Sequence, residues 1–203
     1  CKGAGSRRNM EWQSMQALKE ILRLLKREQT LRAATPAASS GQVLFVADKE
    51  LALFKQALGG RAFQLPVAVD IEDKLQAVLS KSALTDIVAH CLSVVESWGV
   101  YAMLYTGLNF GQTNLYMGGA ALKPYDVWLA AYRTKKPTPG WPFGMWQYTS
   151  SGSVPGIQGG VDMNECYQDY PKIIKGNHLN GFQGGQTADD SPAKDVIGVG
   201  ECI

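Results

Sequence analysis

The chain has 203 residues, 45% hydrophobic and 19% charged, ordinary for a folded protein and long enough for one domain with a sizeable core. No run of about 18 apolar residues exists, which excludes a membrane-spanning helix. The formal net charge of +2 hides an asymmetry: residues 1–35 hold eight Lys or Arg against three Glu, net +5, and the remainder is net −3. A basic head on a mildly acidic body suits an anionic surface such as a cell wall or nucleic acid.

Residues 10–32 are predicted to be helical. Met15, Leu18, Leu22 and Leu25 recur at three- and four-residue spacing, Ile21 and Leu24 widen the stripe, and basic residues surround it. Ala34–Gly41, rich in Ala, Pro and Ser, breaks the pattern. Gln42–Ala47 is predicted as a short strand, and Asp48–Leu58 as a short helix stopped by Gly59-Gly60. Leu65–Ile71 is an apolar strand running into acidic residues, and Leu84–Trp98 has helical spacing up to Gly99. Val100–Tyr105, Asp126–Ala131, Gly144–Tyr148 and Gly160–Met163 read as further strands, with Pro- and Gly-rich turns among them. Strand, helix, strand argues for an α/β arrangement whose regular alternation lapses after residue 125. Residues 184–203 are polar and Gly-rich and read as a tail or linker.

The four cysteines, Cys1, Cys91, Cys166 and Cys202, form no CxxC or Cys/His cluster and give no zinc spacing. Cys91 lies in an apolar helical pattern and is expected to pack as a small hydrophobe. No signal peptide is visible, and the sequence given starts at Cys. His90 and His178 stand apart from any Ser/Asp partner pattern, and no Gly loop of the phosphate-cradling kind occurs. Esterase and nucleotide-binding readings are set aside on those grounds.

The chemistry concentrates in Leu65-Pro66-Val67-Ala68-Val69-Asp70-Ile71-Glu72-Asp73-Lys74. Side chains alternate along a strand, so Asp70 and Glu72 share one face while Val69 and Ile71 point into apolar packing. Two neighbouring, partly desolvated carboxylates disfavour double ionisation, which is expected to raise the pKa of one of them. A carboxyl kept protonated in this way can act as general acid toward a glycosidic oxygen. On spacing alone, D-x-E is short and common, and a solvated strand end carries it equally well. Tyr101, Tyr105, Trp128, Tyr132, Trp146 and Tyr148 recur at or near strand ends, and Asp162 closes another short apolar run. Aromatic faces stack on sugar C–H surfaces, and Tyr hydroxyls with Gln147 can bond hydroxyl or acetamido groups. Core packing is the alternative role for each ring taken singly.

Leu65–Lys74, Tyr101-Ala102-Met103-Leu104-Tyr105-Thr106 and Val127-Trp128-Leu129-Ala130-Ala131-Tyr132 together resemble the lysozymes of glycoside hydrolase family 25. So does Met145-Trp146-Gln147-Tyr148-Thr149-Ser150-Ser151-Gly152-Ser153-Val154-Pro155-Gly156-Ile157, followed by Gly160-Val161-Asp162-Met163-Asn164. The resemblance runs in order through roughly residues 50–183. It implies an N-acetylmuramidase that hydrolyses the β-1,4 bond between N-acetylmuramic acid and N-acetylglucosamine in bacterial peptidoglycan. The implied fold is α/β, a modified, incomplete (β/α) barrel. Glu72 is implied as general acid. Asp70 would be its partner, orienting the substrate acetamido group or a water, and Asp162 an acid of the same cleft. Tyr105, Trp128, Gln147 and Tyr148 are implied to shape sugar subsites. The family uses no metal or organic cofactor; its partner is peptidoglycan rather than nucleic acid, and its place is secreted or wall-associated.

The chain departs from the family at its start. Family members carry a first-strand Asp and two further βα units before the D-x-E strand, whereas here no Asp precedes Asp48 and the first 45 residues do not resemble those units. The expected organisation is an atypical basic amphipathic segment at 1–41, a lysozyme-like barrel portion at 42–183, and a polar tail or linker at 184–203. The Met15/Leu18/Leu22/Leu25 face is expected to pack over the gap left by the early strands, the competing role being attachment to anionic surfaces. A barrel that binds wall glycan without cleaving it is the alternative function, and a remnant without function the third.

Overall fold

A computed structural model describes residues 40–183; the helix expected at 10–32 and the tail expected at 184–203 lie outside them. The described fold is mixed α/β around one five-stranded sheet, in the order β1 (Val67–Asp70), β2 (Ala102–Gly107), β3 (Asp126–Ala130), β4 (Met145–Gly152) and β5 (Val161–Cys166). Strands β1 to β4 run parallel, and β5 returns antiparallel to β4. The helices are α1 (Ser40–Leu58), α2 (Lys81–Glu96), α3 (Leu108–Asn114) and α4 (Tyr170–Gly176), with a single 3-10 turn at Gln76–Val78. Between β3 and β4 the chain crosses without a helix, so the expected lapse of alternation is present.

One expectation is overturned: Gln42–Ala47 is not a strand but the first part of α1, continuous with the helix expected from Asp48. The run Val43-Leu44-Phe45-Val46 has β-forming side chains, but no Gly or Pro separates it from Asp48. Tertiary packing therefore decides, and it favours helix. Leu51 and Phe54 of α1 are buried, Phe54 meets Trp98 edge-on at 6.0 Å, and Asp48 bonds His90 Nε2 of α2 at 2.7 Å.

Helix α2 has a local start signal. The Ser80 hydroxyl accepts the Ala83 N–H, capping the first turn. Its buried stripe, Leu84, Val88, Cys91, Leu92 and Val95, follows the helical repeat. The stripe packs on Val67, Val69 and Ile71 of the first strand and on Ala102, Leu104, Val127 and Leu129 of the next two. Cys91 accordingly packs as a small hydrophobe in this layer. The opposite face of the sheet carries a second, smaller apolar cluster of Met103, Met145, Tyr170 and Ile174. Strand β2 is buried on both faces along most of its length, as expected for an inner parallel strand.

The N-terminal ends of β1 and β2 are closed by one residue. Asn180 is fully buried: its N–H donates to Gly99 O and its carbonyl accepts Phe63 N–H. Its side-chain Oδ1 accepts Tyr101 N–H, and its Nδ2 donates to Leu65 O. Its φ of 53° is one that Asn tolerates better than most residues. Tyr101 belongs to this end too. It precedes β2 and lies edge-on against Tyr170 at 5.6 Å, so the expectation that it joins the aromatic rim is corrected: β2 begins one residue after it.

Candidate active site

At the other end of the sheet, the ladder between β1 and β2 extends past the last residue of β1. Ile71 N–H donates to Tyr105 O at 2.9 Å, and Thr106 Oγ1 donates to Ile71 O at 2.7 Å. These bonds keep the chain extended through Glu72. Val67, Val69 and Ile71 are buried, while Ala68, Asp70 and Glu72 between them are half-buried. The two carboxylates thus share the face of the sheet opposite α2. Asp73 ends the extended run by turning the chain, its Oδ1 accepting the Leu75 N–H and its N–H donating to Gln76 Oε1.

Tyr105 lies beside this pair. It is the register partner of Asp70, is 2% exposed, and packs edge-on against Trp128, its register partner on β3, at 5.2 Å. Trp128 Nε1 donates to Asn164 Oδ1 at 2.8 Å, joining β3 to β5. Asp162 stands two residues before Asn164 on β5 and is half-buried, so alternation brings it to the same face. The Tyr105 phenol is held well above its ordinary value of 10.0, first by burial and then by Glu72, Tyr132, Asp70 and Asp162. All three carboxylates therefore act on one buried hydroxyl.

Gln147 lies at the centre. On β4 it is paired with Ala130 on one side and Asn164 on the other, and it is 0% exposed. Its Oε1 accepts two hydroxyls, Tyr105 and Tyr132, each at 2.9 Å. Tyr132 follows β3 and is 59% exposed as a residue, yet its hydroxyl reaches Gln147. Its pKa is raised, first by burial; hydrogen bonds with Ser150 and Tyr105 oppose the rise, and Asp162 and Glu72 add to it. Tyr148 follows Gln147 on β4, where the register with β5 shifts. There it lies 5.7 Å from Trp146, whose Nε1 donates to Ala131 O.

The structure thus brings Asp70, Glu72, Asp162, Tyr105, Trp128 and Gln147 to one face, and it places Tyr148 against Trp146. Two participants were not among the site residues expected from sequence. Asn164 had a signal in its place two residues after Asp162. Tyr132 had only its place among the strand-end aromatics, since its bond to Gln147 depends on how β3 and β4 are registered. Among the described residues, no group of three or more His, Cys, Asp or Glu is arranged to hold a metal ion, and no helix is long and apolar enough to cross a membrane.

Known proteins are similar to this chain in sequence or in fold. The chain is 32% identical over 114 residues to the uncharacterised protein YegX of Escherichia coli K12, covering 55% of this chain and 40% of YegX. It is 28% identical over 112 residues to the autolytic lysozyme of Clostridium acetobutylicum, covering 55% of this chain and 33% of that one. The chain therefore spans less than half the length of these curated relatives. The crystal structure of the CTP1L endolysin superposes with a TM-score of 0.52 at 24% identity, covering 66% of this chain and 46% of the endolysin, a likeness of fold. The model of the glycosyl hydrolases family 25 matches residues 45–157, more than half of the chain, and the chain belongs to that family.

Proposed function

We propose that the chain is the catalytic portion of an N-acetylmuramidase, cleaving the β-1,4 bond between N-acetylmuramic acid and N-acetylglucosamine in bacterial peptidoglycan. In this reading β1 to β5 are strands of a modified, incomplete (β/α) barrel within residues 42–183, acting at the cell wall. The observation that carries it is the placement of Asp70 and Glu72 on one face at the C-terminal end of β1, beside a buried Tyr105 that also feels Asp162. That end of a parallel strand is where barrel enzymes place their chemistry.

Glu72, protonated, gives its proton to the glycosidic oxygen as the bond from the anomeric carbon to that oxygen breaks. Asp70 orients the substrate acetamido group or the attacking water, and its negative charge offsets the positive charge that develops on the sugar. Asp162 lines the same cleft. Tyr105, Trp128 and Tyr148 shape the sugar subsites, and Gln147 does so from beneath through the phenols it holds.

Binding of wall glycan without cleavage is the second reading. It draws on the sheet order, which ends at β1 among the described residues, and on the absence of any Asp before Asp48. Release of new reducing ends from purified peptidoglycan separates the two. Under the first reading the chain releases them and Glu72→Gln lowers the rate by about a hundredfold or more, while sugar binding persists. Under the second, pull-down with insoluble peptidoglycan succeeds and no reducing ends form.

A further inference from the structure

Among the described residues three tyrosines are exposed: Tyr132 at 59%, Tyr116 at 53% and Tyr167 at 36%. The rings of the last two are occupied. Lys81 Nζ lies 5.1 Å from the centroid of Tyr116. Lys136 Nζ lies 3.4 Å from that of Tyr167, which Phe143 also meets edge-on at 5.8 Å. Tyr132 meets no ring or ammonium among the described residues.

An exposed tyrosine ordinarily keeps its hydroxyl in water and its ring against the protein. Tyr132 reverses this, its hydroxyl donating at 2.9 Å to Oε1 of the fully buried Gln147. The main chain on either side is held as well, Ala131 N–H donating to Gln147 O and Arg133 N–H to Tyr148 O. Both ends of the side chain are thus fixed from β4. The ring makes up most of a tyrosine's surface, so the exposure left once the hydroxyl is bonded belongs largely to ring carbon. Leaving that surface in water forgoes the stabilisation of burial, and holding it in one geometry costs rotamer freedom. A side chain ordered in advance has less freedom to lose when a ligand binds.

The position of the ring fits a glycan. The same Gln147 oxygen holds Tyr105, the register partner of Asp70. Tyr132 stands two residues past the last residue of β3, at the end of the sheet where Asp70 and Glu72 lie. An aromatic face beside polar groups that can bond hydroxyls suits a sugar ring.

We infer that Tyr132 is a further sugar-binding residue: Gln147 anchors its hydroxyl so that the ring stands as a preformed stacking face for a glycan residue beside the acid pair. The inference rests on the muramidase reading for the identity of the glycan and not for turnover.

The test uses the full chain carrying Glu72→Gln, its tyrosine rings carbon-13 labelled, titrated by NMR with soluble glycan strands from which the peptides have been removed. The Tyr132 ring signals, assigned by their loss in Tyr132→Phe, are expected to shift as the glycan saturates. Tyr132→Leu, folded by circular dichroism, keeps an apolar side chain without an aromatic face and is expected to bind about tenfold more weakly. Tyr132→Phe keeps the ring without its anchor and is expected to bind about threefold more weakly. With Glu72 restored, Tyr132→Leu should raise KM in reducing-end assays and leave kcat within about threefold. Tyr132 ring signals unmoved at saturating glycan, or a Leu variant that binds as tightly as its parent, overturn the inference. If the Leu variant does not fold, the ring signals decide alone. Hydrolysis with no response of the Tyr132 ring overturns this inference and leaves the muramidase reading standing. A ring response without release of reducing ends does the reverse.

Discussion

A methyl group added at Gly144 would enter space already held by the Tyr170 hydroxyl and the Asp126 carboxylate, two groups joined by a 2.5 Å hydrogen bond. That bond ties α4 to the start of β3 beneath the sheet, so Gly144→Ala both overpacks the site and forces the pair apart. The expected loss is about 2–4 kcal/mol, combining an overpacking cost with that of a buried charged hydrogen bond, read from urea unfolding midpoints. A loss under about 0.5 kcal/mol, the range of a surface change, would show that the pair yields freely. At this scale the sequence revealed the acidic pair well. Alternation alone separates Asp70 and Glu72 from Val69 and Ile71, and the two bonds that hold Ile71 to β2 were not needed to see it. The Gln147 network was hidden because its partners stand 42 and 15 residues away and meet only through sheet register.

Among the elements, the closure made by Asn180 invites the clearest test. Asn180→Ala removes the acceptor of Tyr101 N–H and the donor to Leu65 O, and leaves a residue less tolerant of φ 53°. The expected cost is about 2–5 kcal/mol, since two buried backbone groups lose their partners and a positive φ must be held without Asn. Asn180→Asp keeps the acceptor and should fall between. Equal stability of Ala and Asn at this position, by thermal or urea unfolding, would contradict the closure. Strands were legible because runs such as Val67-Ala68-Val69 and Val127-Trp128-Leu129 are rich in β-formers and bounded by Gly or Pro. The seven-residue helices α3 and α4 were not, being two turns or less and too short to show a period. Helix α1 was split in two because Val43-Leu44-Phe45-Val46 looks like a strand until its continuation is packed on α2.

For the molecule as a whole, the buried phenols set a limit on alkaline stability. Tyr105 and Tyr170 are held protonated well above 10.0, in both cases first by burial, with a hydrogen bond to Asp126 next for Tyr170. A raised folded-state pKa gives a contribution fully present below about pH 10 and lost as the pH rises beyond it. The unfolded chain then releases protons that the folded chain retains. Each phenol should cost about 1.4 kcal/mol per pH unit above that point, so urea midpoints should drop steeply between about pH 10 and pH 11.5. Tyr170→Phe should flatten the slope, and an unchanged slope would show that Tyr170 does not contribute to it. The α/β class and the family were legible in the ordered blocks from Leu65 to Asn164. The sheet's two-sided burial was not, because it depends on α4 returning under β2 and β4 and on Asn180 bonding Leu65, 115 residues earlier.

Glu72 is proposed as the acid of a glycan-cleaving site. That role is tested most directly by reducing-end release from purified peptidoglycan, comparing the chain with its Glu72→Gln variant. The chain is expected to release reducing ends, and the folded variant to lose about a hundredfold or more of that rate. Equal release by the two would contradict it, and so would a folded chain that binds peptidoglycan and releases nothing.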